Sequence, residues 1–181
     1  MLRFFDAKTP PRLKENSCRP YNVGMSRDRR KTGWNILPSK TVDEGARLTH
    51  VRHCSDFVAD QLDRYPDWLD GVNESGLPDM DRLVRTIDDL GLEPGLRYFR
   101  NREMLRIVWR DLCGLATLGE TFACLTCLAE TCLQAAVDEH ERRLQEKYGI
   151  PRGSDGSPQR LFVIGLGKFG GGELNLSSDI D

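Results

Sequence analysis

Apolar positions recur at helical intervals through the middle of this chain, and the pattern breaks at both ends. Phe57, Val58, Leu62 and Tyr65 form one apolar side, which predicts a helix from about Asp43 to Tyr65 that Pro66 stops. A short helix is expected near Asp67–Asn73. Pro78 and Asp79 open another across Met80, Leu83, Val84, Ile87 and Leu90, closed by Gly91. Pro94 suits the first position of the next helix, which continues through LRYFRNREMLRIVWRDLCGL with Leu96, Phe99, Met104, Ile107, Val108 and Leu112 at helical spacing. The longest helix is predicted from Leu118 or Gly119 to Lys147. Its face carries Leu118, Phe122, Leu125, Ala129, Cys132, Ala136, His140 and Leu144, and Gly149 ends it. The short helices need one another to bury their faces.

The flanks read differently. Residues 1–40 combine Pro10 and Pro11 with the charged segment MSRDRRKTGW and no sustained period, so a disordered basic arm is expected. PRGSDGSPQ, residues 151–159, is a turn-rich linker. After it, LFVIGLG is a short apolar run entering glycines, the pattern of a buried strand over about Arg160–Ile164. The expected fold class is α+β. A mostly helical region, residues 41–150, leads into the start of a truncated α/β domain, residues 151–181.

Composition narrows the class. At 181 residues, with 39% hydrophobic and 30% charged residues, the chain has a globular make-up. No apolar run approaches the ~18–20 residues of a membrane span, and the start lacks the apolar stretch of a secretory signal, so a cytoplasmic protein with no membrane contact is expected. The net charge of −2 hides an asymmetry: residues 1–40 hold ten Lys or Arg against three Asp or Glu, and the remainder sixteen against twenty-five. An acidic folded part argues against nucleic acid as a partner. Arg102, Arg106 and Arg110 form an i, i+4 series interleaved with Glu103 and Asp111, read first as a solvated face with local ion pairs. Contact with an acidic partner or a catalytic layer is the other reading. Of the six cysteines, Cys124 and Cys127 make a CxxC inside an apolar helical stretch, without the further ligands of a zinc site. Small, reduced, buried side chains are expected there. His50, His53 and His140 are read as structural.

The chemistry concentrates in GLGKFGGGELNLSSDID, residues 165–181. Gly165, Gly167 and Gly170 match GxGxxG, but Glu173, Asn175, Ser177 and Ser178 are too polar for the helix that packs beneath a dinucleotide-binding sheet. Asp179 and Asp181 fit phosphoryl or nucleotidyl transfer better. On a strand, alternation would send both carboxylates to one face about 6.5–7 Å apart, a platform for Mg²⁺ or Mn²⁺. Gly170 and Gly171 would let backbone N–H groups approach phosphate oxygens, with Ser178 adding a hydroxyl and Lys168 a charge.

An apolar-Gly-Gly turn followed by Asp-apolar-Asp resembles the signature of the DNA polymerase β-like nucleotidyltransferases. VIGLGKFGGGELNLSSDID, preceded by YFRNREMLRIVWRDLCGLATLGET and by SDFVADQLDRYPDWL at 55–69, is similar more closely to the bifunctional glutamine synthetase adenylyltransferase/adenylyl-removing family. The ELNLSSDID ending resembles the N-terminal, AMP-removing copy of that family's two catalytic domains. The resemblance implies that Asp179 and Asp181 are catalytic and bind the divalent ions, and that Gly170, Gly171 and Ser178 hold phosphate or nucleotide. Lys168 and Glu173 would support them. It implies phosphorolysis of adenylyl-tyrosine on glutamine synthetase, with phosphate consumed and ADP released. It further implies an ATP-using second domain and control by the PII signal-transduction protein in the intact parent. The third carboxylate of such sites is missing from these 181 residues, so the isolated chain is expected to be inactive. Two alternatives stand beside this reading: a non-catalytic docking domain, and a different nucleotidyltransferase acting on RNA.

Overall fold

The computed structural model describes residues 43–178 and Ile180. The expected basic arm over residues 1–40, and both Asp179 and Asp181, lie outside the described residues. Among the described residues six helices run in order: α1 Glu44–Cys54, α2 Asp56–Arg64, α3 Met80–Leu90, α4 Leu92–Leu112, α5 Leu118–Tyr148 and the short α6 Gly167–Gly171. A 3₁₀ turn, Pro66–Leu69, lies between α2 and α3, where the pattern predicted a longer helix to Asn73.

The single helix expected over 43–65 is two. Ser55 leaves the helical conformation with φ −145°, and its Oγ accepts the Val58 N–H at 3.3 Å, so it caps α2 and ends α1. Asp79 caps α3 in the same way through the Asp81 N–H at 3.0 Å. Gly91, at φ +82°, separates α3 from α4 in one residue, a conformation that favours glycine. Thr117 and Glu120 form a reciprocal capping box at the start of α5, with Thr117 N–H donating to Glu120 at 2.6 Å and Glu120 N–H to Thr117 Oγ1 at 3.2 Å.

α4 is the central element, and two apolar clusters form on it. The first gathers Val51, Val58, Leu62, Trp68, Val72, Leu105, Val108 and Trp109 from α1, α2, the 3₁₀ turn, the loop after it and α4. Tyr65 stacks on Trp68 with ring centroids 4.3 Å apart, and the Trp68 indole donates to Tyr98 OH at 2.9 Å, so the polar edge of this cluster is satisfied. The second gathers Leu83, Phe99, Ile107, Leu125 and Leu128 from α3, α4 and α5, and also Leu174, far along the chain. Close approach of α3 and α4 requires Gly95, because a Cβ there would lie 2.9 Å from the Ile87 Cα and the Thr86 carbonyl oxygen.

The expected α+β architecture is not what the chain adopts. Among the described residues there is no strand ladder, and the only β contact is an isolated antiparallel bridge between Arg152 and Pro158. Leu161, Phe162, Val163 and Ile164, read as a buried strand, are 52–73% exposed. The reason is physical: a helix satisfies its backbone from within, whereas a strand needs a neighbour to accept its N–H groups, and among the described residues no strand stands beside 160–164. Local β preference in LFVI does not substitute for that partner. Among the described residues, no helix is long and apolar enough to cross a membrane.

Candidate functional site

The glycine-rich segment is a single helical turn held against the larger helices. α6 closes in a Schellman arrangement: the Glu173 N–H donates to Lys168 O at 2.7 Å, the Gly172 N–H to Phe169 O at 3.2 Å, and Gly172 takes φ +71°. Gly170 N–H donates to Leu166 O at 3.1 Å, so this donor is used inside the turn. Glycine is nonetheless required at 170, because a Cβ would lie 2.3 Å from the Gly165 carbonyl oxygen. Gly171 is exposed with open space where its Cβ would be. Lys168 and Glu173 are exposed, and Ser178 is half-buried.

A second tight turn follows. Asn175 Oδ1 accepts from the Ser177 N–H at 3.2 Å and from the Ser178 hydroxyl at 2.8 Å, while Ser178 Oγ accepts the Asn175 N–H at 3.1 Å. The Ser178 N–H closes the turn on Asn175 O at 3.0 Å. The chain is therefore held in a fixed turn up to Ser178, which both donates and accepts within it. Asn175 and its role in an Asx-type turn went unread in the sequence, although Asn-x-Ser-Ser carries that signal.

Two anchors tie this segment to the helices. Leu174 is 4% exposed in the second apolar cluster, with Phe169 packed beside it. Ahead of the glycines, Glu141 of α5 accepts from Arg160 Nε at 3.1 Å, Arg160 Nη2 at 3.0 Å and the Leu161 N–H at 3.2 Å. Asp138 adds a contact to Arg160 at 2.9 Å. These bonds, that to Glu141 first, push the Arg160 guanidinium's pKa further up. Glu141 sits in EHERRLQEKYG, a strongly charged stretch, and its burial and its bonds from Arg160 and the Leu161 N–H distinguish it from its exposed neighbours.

The arginine series on α4 is not a solvated face. Arg106 and Arg110 are buried, and Glu103 is 1% exposed. Glu103 accepts from Arg82 at 3.1 Å and from Arg106 at 2.8 Å. The rest of Arg106 donates to the carbonyls of Glu74 at 2.9 Å and Gly76 at 3.2 Å, and Arg110 donates to Asn73 O at 2.7 Å and Leu115 O at 3.0 Å. The Trp109 indole donates to Asn73 Oδ1 at 3.1 Å. These groups staple the loop ahead of α3 onto α4, and that loop's backbone carbonyls supply acceptors that no residue pattern announces.

The cysteines separate by environment. Cys113 and Cys127 are buried, Cys124 and Cys132 half-buried, and Cys54 exposed at 3.8 Å from a His50 ring nitrogen. Cys18 lies outside the described residues. Burial pushes the Cys132 thiol up to about 11 and raises Cys113 and Cys124 as well, which keeps them protonated near neutrality. The CxxC pair does not act together: Cys124 donates to Gly76 O at 3.4 Å, and Cys127 lies 3.9 Å from the Thr131 hydroxyl.

Residues 45–181, which span the helices, the glycine turn and the closing aspartates, match the glutamate-ammonia ligase adenylyltransferase family. The chain belongs to that family. It is 38% identical over 157 residues to a bifunctional glutamine synthetase adenylyltransferase/adenylyl-removing enzyme of Shewanella loihica, covering 81% of this chain and 16% of that protein. A protein of the same description from Xanthomonas oryzae is 39% identical over 149 residues, covering 82% and 16%. One from Thioalkalivibrio sulfidiphilus is 51% identical over 94 residues, covering 52% and 10%. The chain thus spans about one-sixth of the length of the first two relatives. For the adenylyltransferase family segment seen here, helices and glycine turn form one packed piece through Leu174 and Glu141.

Proposed function

We propose that this chain is the helical docking and positioning unit for a glycine turn of a glutamine synthetase adenylyl-removing site, and that catalysis belongs to the intact protein. The observation that carries this reading is the docking of the glycine turn on α3, α4 and α5 by Leu174, in a segment whose family match runs unbroken from residue 45 to 181. On its own the chain is a non-catalytic module.

In the intact protein, inorganic phosphate attacks the phosphorus of the adenylyl-tyrosine linkage on glutamine synthetase. The bond to the tyrosine oxygen breaks, that oxygen takes up a proton, and ADP leaves. Asp179 and Asp181 offer the hard oxygen donors that Mg²⁺ or Mn²⁺ prefers, and they follow the turn fixed by Asn175 and Ser178. When bound, such an ion neutralises charge on phosphate oxygens. Gly170 and Gly171 keep the backbone bare of side chains beside the phosphates, Ser178 orients the approach to Asp179, and Lys168 supplies positive charge. The ATP-dependent adenylylating reaction belongs to a second domain, and control passes through the PII protein. The setting is the cytoplasm.

A Mn²⁺ titration of the intact protein tests the assignment, with Asp179→Asn and Asp181→Asn combined and the second catalytic domain disabled in both forms. Saturable binding lost in the double variant supports a metal site at this turn. Binding that ignores both aspartates leaves only the docking role.

A further inference from the structure

The glycine turn is held at both ends, and the two holds differ in kind. On its far side Leu174 and Phe169 enter the apolar cluster of α3, α4 and α5. On its near side the chain is tied by polar contacts alone: Arg160 and the Leu161 N–H both bond Glu141, while Leu161, Phe162, Val163, Ile164 and Leu166 bury little. Glu141 uses both oxygens in this grip and is only 9% exposed, on a stretch of α5 whose neighbours Arg142, Arg143 and Leu144 face solvent.

We propose that Glu141 is a positioning residue for phosphate at the glycine turn, acting through Arg160 and the Leu161 backbone. This rests on the adenylyl-removing reading above. The apolar anchor holds Phe169 and Leu174, and hydrogen bonds within the turn tie Leu166 and Lys168 to them, which leaves the turn free to tilt as a unit about that anchor with the exposed run 162–164 following it. Fixing the backbone at 160 and 161 removes that freedom. A fixed entry and a fixed exit define where Gly165 to Lys168 sit, and loss of one lets the turn shift without unfolding the helices. A displaced turn weakens phosphate binding first, because Lys168, Gly170 and Gly171, which would meet phosphate, lie between Leu161 and Leu174.

The test uses the intact protein with Glu141→Gln, Arg160→Ala and the double variant, measuring ADP release against phosphate concentration. Hydrogen exchange of residues 160–178 is followed alongside. Each single substitution is expected to raise the phosphate KM about tenfold with kcat within about twofold, and the double to fall well short of the combined effect, since the two share the Arg160–Glu141 contact. Exchange at 161–168 should quicken while that of α3 and α4 holds. An unchanged KM, additive effects in the double, or unchanged exchange at 161–168 would overturn the role. Arg160 has a half-exposed side chain outside the helices, so its variant keeps the fold and the question answerable. If the unaltered protein releases no phosphate-dependent ADP, the adenylyl-removing reading fails, and hydrogen exchange still decides whether Glu141 holds the turn.

Discussion

The helices between Glu44 and Tyr148 and the segment after Gly149 are built on opposite terms. In the first, buried charge is matched: Glu103 meets Arg82 and Arg106, and Arg106 and Arg110 find carbonyls in the loop they cover. In the second, large apolar side chains from Leu161 to Leu166 stand largely in solvent, and attachment rests on Glu141 and Leu174. The helical unit satisfies its backbone within each helix and centres its clusters on α4, the second of which also takes in Leu174 from the later segment. The later segment is placed by it: Leu174 adds to the packing of the second cluster, while the Glu141 contacts to Arg160 and Leu161 supply positioning.

The strongest way to break that contrast is Glu103→Ala. It leaves Arg106 buried without its carboxylate and should lower unfolding free energy by about 3–5 kcal/mol, read by urea denaturation. A loss below 1 kcal/mol would mean that the buried ion cluster does not hold the loop. Leu174→Ala comes next, at about 2–3 kcal/mol, because Leu174 fills a cluster shared with three helices. If thermal and urea unfolding did not change, the glycine segment would not be part of the same packed unit. Gly95→Ala should cost about 1–3 kcal/mol through its 2.9 Å approach to the α3 backbone, with no change at the glycine turn in hydrogen exchange.

The smallest effect concerns pH. Hydrogen bonds from Arg142 and then Arg143 hold the Glu139 carboxyl at about 2, below its ordinary 4.5. A depressed carboxylate contributes stability that is fully present above pH 4.5 and is lost as pH falls toward 2. Solvent screening keeps this to about 0.5 kcal/mol or less. Comparing the unaltered protein with Glu139→Gln over pH 5 to 2 should show that small difference vanish at the acid end, and added salt should shrink it.

How much of this was readable from the sequence follows the same division. α3, α4 and α5 were legible because their apolar spacing and capping residues act within a few turns, and Gly91 and Gly149 marked their ends. The break at Ser55 was missed although Ser is a good cap, since the apolar pattern runs across it. The burial of Glu103, Arg106 and Arg110 was hidden, because i, i+4 charges look alike whether they face water or a neighbouring loop's carbonyls. The strand at 160–164 was expected from side-chain type, yet a strand is decided by its partner, which composition does not carry. In the candidate site, Gly170 is legible only as part of a glycine run, and its close approach to the Gly165 carbonyl is a backbone contact that the run does not announce. Glu141 and Leu174 were not legible, since their partners lie 19 or more residues away or on other helices.

The measurement that bears most directly on the whole account is phosphate-dependent ADP release from adenylylated glutamine synthetase by the intact protein. It is compared with the Asp179→Asn, Asp181→Asn form, the second catalytic domain being disabled in both. The account predicts ADP release that requires added phosphate and falls at least about a hundredfold in the double variant. Equal release by both folded proteins, or none by either, would contradict it.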